Sequence, residues 1–167
     1  MRPDRIVYLD EPIDLKTVRV DSHGPLAALW PLTGTPADLA ARLRRKLPAY
    51  AHVYLREELP ARFRYRDNPR IAPVLVMADE GGEITTREYM AKRKTPERGD
   101  HGYDHELIDM GATFIAQGPA FRRGLVIPPF PNLDVYNLMC AVLGLHPAPN
   151  DGDDTLVRET LFAPPAP

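Results

Sequence analysis

The amino-acid sequence predicts a mixed fold of short strands and helices whose leading part is a compact α+β unit. Three observations predict it. Short β-branched and aromatic runs bounded by turn residues recur through residue 78, a well-capped amphipathic helix interrupts them, and a strand-like run followed by a second helical stripe lies toward the C-terminus. The 19 prolines, about twice the usual share, favour short elements and ordered connections over long helices.

Arg5–Leu9 reads as the first strand, ended by Asp10-Glu11-Pro12. Thr17–Asp21 and Leu26–Trp30 read as two more, and Ser22-His23-Gly24-Pro25 between them suits the turn of a hairpin. Thr35 is a natural N-cap with Pro36 at the first helical position. Leu39, Leu43 and Leu47 line one face, basic residues crowd the last turns, and Pro48 stops the helix. His52–Arg56 and Val74–Ala78 complete a strand-strand-helix-strand-strand order. After Thr85 the chain turns polar and basic (Arg87, Lys92, Arg93, Lys94, Arg98), which predicts an exposed loop. Thr113–Ala116 predicts a strand. Asn132 is placed to cap a helix whose Leu133, Tyr136, Met139, Cys140 and Leu143 form a core-type stripe, ended by Gly144 and Pro147. The tail Ala163–Pro167 is expected to fray.

With 44% hydrophobic and 26% charged residues the composition is that of a folded globular chain, which excludes wholesale disorder. A net charge of −2 gives no field that would draw a nucleic-acid polymer or an anionic membrane. No apolar run spans a bilayer, and Met1-Arg2-Pro3-Asp4-Arg5 lacks the apolar region of a signal peptide. The single Cys140 excludes an internal disulfide; lying on a helical apolar stripe, it reads as an inert core thiol.

The densest set of reactive side chains is Gly99-Asp100-His101-Gly102-Tyr103-Asp104-His105-Glu106. Imidazoles and carboxylates aimed by glycine turns suit a metal. Read from the residues alone, His101 is either a ligand or a surface loop histidine, and Asp104 is better placed to cap a helix over His105–Met110 than to bind metal. A self-sufficient single-metal site would need Asp100 and His105 to turn inward together. His23, His52 and His146 have no motif around them and read as turn, strand or solvent residues. Ser22, the only serine, sits in a turn and not in a nucleophile elbow. Arg62, Arg64, Arg66 and Arg70 around Phe63 and Tyr65 could contact phosphates, but read better as a charged face packed by its aromatics.

The block Arg98–Asp104 resembles the Gly-Asp-His-Gly-Tyr-Asp-Asn motif of the nucleotide pyrophosphatase/phosphodiesterase family, in the alkaline phosphatase superfamily. The resemblance continues in order through Phe114–Phe121, Val126–Phe130, Val135–Cys140 and Leu143–Asn150. Upstream, Arg5–Asp10, His52–Pro60, Asn68–Ile71 and Ala78–Gly81 are also similar to the family. One departure lies inside the motif, where His105 replaces the family's asparagine and puts the loop geometry in question.

The resemblance implies the C-terminal part of an alkaline-phosphatase-like α/β sandwich with a central, largely parallel sheet and an inserted α+β subdomain. Residues 1–90 would form the subdomain and its strands, 91–162 the C-terminal part of the catalytic core, and 163–167 a frayed tail. It implies a threonine nucleophile acting beside two zinc ions on a phosphodiester or nucleotide pyrophosphate, with His101 as a ligand of the second zinc. The threonine, the other ligands and a Ser-Asp-His-Gly-Met block precede the matched region in the family, so an N-terminal half is expected to be missing and the 167 residues to be inactive alone. Family members work mostly outside the cytoplasm, which implies a periplasmic or secreted location. The alternative is a noncatalytic stand-alone remnant serving as a binding or interaction module.

Overall fold

A computed structural model describes residues 2–93 and 99–162. The chain packs as two compact units, Met1–Ala112 and Thr113–Pro167. This is a division by packing, distinct from the expected family subdivision at residue 90.

In the first unit the strands are β1 (Ile6–Tyr8), β2 (Val18–Val20), β3 (Leu26–Pro31), β4 (Ala51–Leu55), β5 (Val74–Ala78) and β6 (Glu83–Thr85). The helices are α1 (Pro36–Lys46) and α2 (Arg87–Lys92). A four-stranded antiparallel sheet runs β2-β3-β5-β4, and β1 pairs with β6 in parallel. Alternation along the strands sorts the side chains onto two faces. Ala27, Leu29, Val53, Val74 and Val76 meet Leu39, Ala40 and Leu43 of α1. On the opposite face Leu75, Ala28, Trp30, Tyr54 and Met77 meet Leu59, Phe63, Ile71 and Ala72, from the segment linking β4 to β5. The predicted hairpin, helix and two following strands all form. Thr35 Oγ1 accepts the Asp38 N–H at 3.1 Å, as its capping position requires. The Ser22 hydroxyl donates to the Leu26 carbonyl and accepts from the Ala28 N–H, each at 3.0 Å, which is a turn role.

The expected loop after Thr85 is instead α2. Thr86 caps it, accepting from the Tyr89 N–H at 3.2 Å, and Lys92 pairs with Glu88 one turn back at 2.6 Å. Arg93 is not a solvent cation: it reaches the buried Glu83 at 2.8 Å. Lys94 and Arg98 lie outside the described residues, as does the tail Ala163–Pro167.

The second unit holds α3 (Asp134–Leu143) and α4 (Thr155–Thr160), with Leu138, Leu156, Val157 and Leu161 buried between them. Three expectations fail here. Thr113–Ala116 is exposed and belongs to no ladder, because no neighbouring strand among the described residues accepts its hydrogen bonds. Asn132 offers no side-chain cap; Leu133 occupies that position. The buried side of α3 carries Asp134, Asn137, Leu138 and Cys140, whereas Leu133, Tyr136, Met139 and Leu143 of the expected core stripe face outward. Hydrogen bonds explain the choice. The Asn137 side chain donates to Asp154 at 3.0 Å and accepts from Asn150 at 2.9 Å, while Asp134 accepts the Asp153 N–H at 2.9 Å, fastening the loop that leads to α4. Cys140 is buried, as expected of a core thiol.

Candidate metal site

The glycine-rich block starts against the turn before β3. Gly24 has φ +109° and pairs with Ile84 of β6, and a Cβ added there would lie 2.8 Å from Asp100 Oδ2. Only glycine meets both the left-handed backbone and this approach. Asp100 Oδ1 accepts the His101 N–H at 2.8 Å. Tyr103 is buried, and its hydroxyl donates to the Gly82 carbonyl at 2.8 Å; burial, then the charges of Asp100 and Glu83, push that phenol's pKa up. His101 and Gly102, with φ +99° at the latter, form the exposed apex between these two anchors.

Asp104 follows. The Arg62 guanidinium grips its carboxylate with two bonds, Nη1 to Oδ1 at 2.6 Å and Nη2 to Oδ2 at 2.5 Å. That hydrogen-bonded fork holds the Asp104 pKa down to about 2. Asp104 Oδ1 also accepts the Glu106 N–H at 3.1 Å, an end-capping bond, but the expected helix over His105–Met110 reduces to a single 3-10 turn at Ile108–Met110. His105 lies edge-on to Phe63, ring centroids 5.4 Å apart at 83°, and Arg62 stacks over the same ring at 4.2 Å.

The block therefore separates its candidate ligands. Asp104 and His105 are engaged with Arg62 and Phe63, while the exposed His101 ring has no side-chain hydrogen bond among the described residues. Zinc takes three or four protein ligands. Among the described residues no three His, Cys, Asp or Glu side chains converge as a metal-holding group. Among the described residues the block is therefore not a self-sufficient centre, and His101 is the one candidate ligand in it left without a partner for its side chain. His52 pairs with Asp79 at 2.8 Å on β4, His23 stacks on Tyr89 at 4.1 Å, and His146 is exposed beyond α3. None of the three joins the site.

A sequence profile described as type I phosphodiesterase / nucleotide pyrophosphatase matches residues 1–104. The chain belongs to this phosphodiesterase family. It is 38% identical over 149 residues to human bis(5'-adenosyl)-triphosphatase ENPP4, covering 89% of this chain and 31% of that protein. It is 37% identical over 139 residues to mouse ectonucleotide pyrophosphatase/phosphodiesterase family member 7, covering 83% and 30%. Murine ENPP5 superposes with a TM-score of 0.87 at 32% identity, over 96% of this chain and 42% of that structure. An inactive variant of murine ENPP5 in complex with AMP superposes with a TM-score of 0.84 at 31% identity, over 96% of this chain. The chain thus has the phosphodiesterase family's mixed α/β fold and spans less than a third of the length of the curated relatives it matches.

Within this family framework, the partner that sequence reasoning missed is Arg62. It is 42 residues from Asp104, and nothing local distinguishes it from Arg64 or Arg66. The alternation with Phe63 is a real signal, of a guanidinium stacked on an aromatic ring.

Proposed function

We propose that these residues supply the C-terminal part of a zinc-dependent nucleotide pyrophosphatase/phosphodiesterase, with His101 as one zinc ligand. The carrying observation is that the family's motif histidine stands at an exposed apex with no side-chain hydrogen bond among the described residues, between the anchored Asp100 and Tyr103. When bound, zinc would supply Lewis-acid stabilisation of phosphoryl charge. This chain's own contribution is to offer the His101 imidazole and to keep the neighbouring carboxylate, Asp104, committed to Arg62. The substrate class is a small phosphodiester or nucleotide. The supports are the triphosphatase name of human ENPP4 and the AMP held by the ENPP5 variant. The "ectonucleotide" name of the mouse relative supports a location outside the cytoplasm. Among the described residues no helix is long and apolar enough to cross a membrane.

The same reading holds that the 167 residues alone do not turn over. The threonine nucleophile and the remaining ligands belong, in this proposal, to parts of the family fold without a counterpart here. The supports are the limited coverage of the relatives and the placement of the two candidate nucleophiles: the Ser22 hydroxyl is engaged in its turn and Cys140 is buried. Hydrolysis of a p-nitrophenyl phosphodiester with added zinc tests it. No release of nitrophenol above the zinc-only rate is expected. Turnover that tracks zinc occupancy and disappears in His101→Ala would overturn the inactivity. In a chain that carries the rest of the family fold, His101→Ala is expected to lower zinc content; unchanged content would remove His101 from the ligand set.

A further inference from the structure

We propose that Arg62 is a positioning residue for His101, acting through Asp104 to hold the metal-ligand apex in place before any other ligand meets it. This rests on His101 being a zinc ligand, and it concerns how that imidazole is presented.

Three consecutive residues beyond the apex are tied to two separate parts of the first unit. Tyr103 is fixed through its hydroxyl to Gly82, beside β6. Asp104 is fixed by Arg62, and His105 by the edge of Phe63. Arg62 and Phe63 lie in one short 3-10 turn, Ala61–Phe63, which is seated on the sheet because Phe63 packs with Leu59, Ile71 and Leu75. The ring of Phe63 also carries the Arg62 guanidinium on its face. The arginine is thereby oriented before it meets Asp104, and a planar two-bond fork fixes both the distance and the rotation of the carboxylate. On the other side of the apex, Asp100 packs against Gly24. Only His101 and Gly102 are left between anchored neighbours. A loop so held loses little further freedom when a ligand sphere closes on it, which is the advantage of preorganisation. A lysine at position 62 would bring a point charge without the fork.

The arrangement also accounts for the departure at position 105. In place of the family's asparagine, His105 makes an aromatic edge contact to the ring that carries Arg62, so clamp and departure share one support.

The test uses the 167-residue chain and the backbone order of the loop by nitrogen-15 relaxation, with amide exchange alongside. In the unaltered chain His101 and Gly102 are expected to have order parameters of about 0.85, as for rigid backbone. Arg62→Met is expected to drop them below about 0.6. The Glu106 amide, which donates to the Asp104 carboxylate, should exchange about tenfold to hundredfold faster, the range for loss of a charged hydrogen bond, and the Leu107 amide, which donates to the Asp104 carbonyl, should exchange faster by a smaller factor. Arg62→Lys should not rescue. Asp104→Asn, which leaves Arg62 on its ring, should loosen the same residues while the α1 amides keep their protection. Unchanged order in both Arg62→Met and Asp104→Asn overturns the proposal. So does a loss of α1 protection equal to that of the loop in both variants, or full rescue by lysine. Zinc retention by His101→Ala in a longer family chain would remove the ligand reading and leave these relaxation results as they stand.

Discussion

In Met1–Ala112, α1 and the segment between β4 and β5 cover both faces of a four-stranded sheet, and Leu29, Leu43, Val74 and Val76 are wholly buried. In Thr113–Pro167, Leu138, Leu156, Val157 and Leu161 make a small core, while Ile115 and Val126 stand 86% and 98% exposed. The two regions have similar kinds of apolar residues and use them differently. The first satisfies its strands within itself; the second presents a strand-like run and an apolar helix face with no cover among its described residues. Propensity is spent equally in both, but burial depends on having a partner surface. The lesson is that the first unit carries its own stability and the second has little to spare.

The largest test of that contrast is Leu43→Ala, which should cost about 2–5 kcal/mol by opening a cavity under the sheet. Urea unfolding read by Trp30, the only tryptophan and a β3 residue, measures it. A loss below about 1 kcal/mol would mean the core relaxes freely and the contrast is overstated. Next, Leu156→Ala should abolish slow amide exchange in α3 and α4 while leaving the Trp30 transition in place. Movement of that transition would show that the units unfold together.

A pH effect comes third. Burial lowers the His23 pKa, outweighing the opposing charges of Glu83 and Asp10, while Arg93 pushes in the same direction as burial. A base whose folded pKa lies below its unfolded value is protonated more readily when unfolded, so the stability of the first unit rises with pH through that interval and falls as pH drops below about 6.5. His23→Phe keeps a ring against Tyr89 and should flatten the slope between pH 7.5 and pH 5, about the span in which histidine titrates. An identical slope in the variant would locate the dependence elsewhere. Asp104 adds a separate, more acidic limb: with its pKa held down to about 2, its contribution is present above its unfolded value and lost as pH falls toward 2. The smallest effect is expected from Met139→Lys on the outward face of α3, within about 0.5 kcal/mol of neutral. If instead it unfolds the second unit, that face is covered in solution.

Much of the first unit was legible because its signals are local. Thr35 and Pro36 start α1 at the residues expected, and Val74–Ala78 forms a buried strand with the expected bounds. The misreadings have equally particular causes. Arg87–Lys92 looks like a charged loop until Thr86 is seen as a cap and Glu88–Lys92 as a turn-spaced pair. Glu83–Thr85 is too polar to announce a strand and becomes one only through β1 and Gly24. The helix Thr155–Thr160 is too short to show a periodic stripe, and its one local signal is Asp153, which accepts the Thr155 N–H at 2.6 Å. On α3 two faces compete, and the sequence pattern favours the more apolar one.

By itself the sequence determined the family, the order of the early elements and the identity of His101 as the candidate ligand, because motif spacing and cap chemistry are properties of neighbouring residues. Only the tertiary structure decided that Arg62 and Phe63 claim Asp104 and His105, and that Asp134 and Asn137 turn α3 away from its apolar stripe. Those outcomes depend on groups far apart in the chain, whose hydrogen bonds outweigh the periodicity of any single segment.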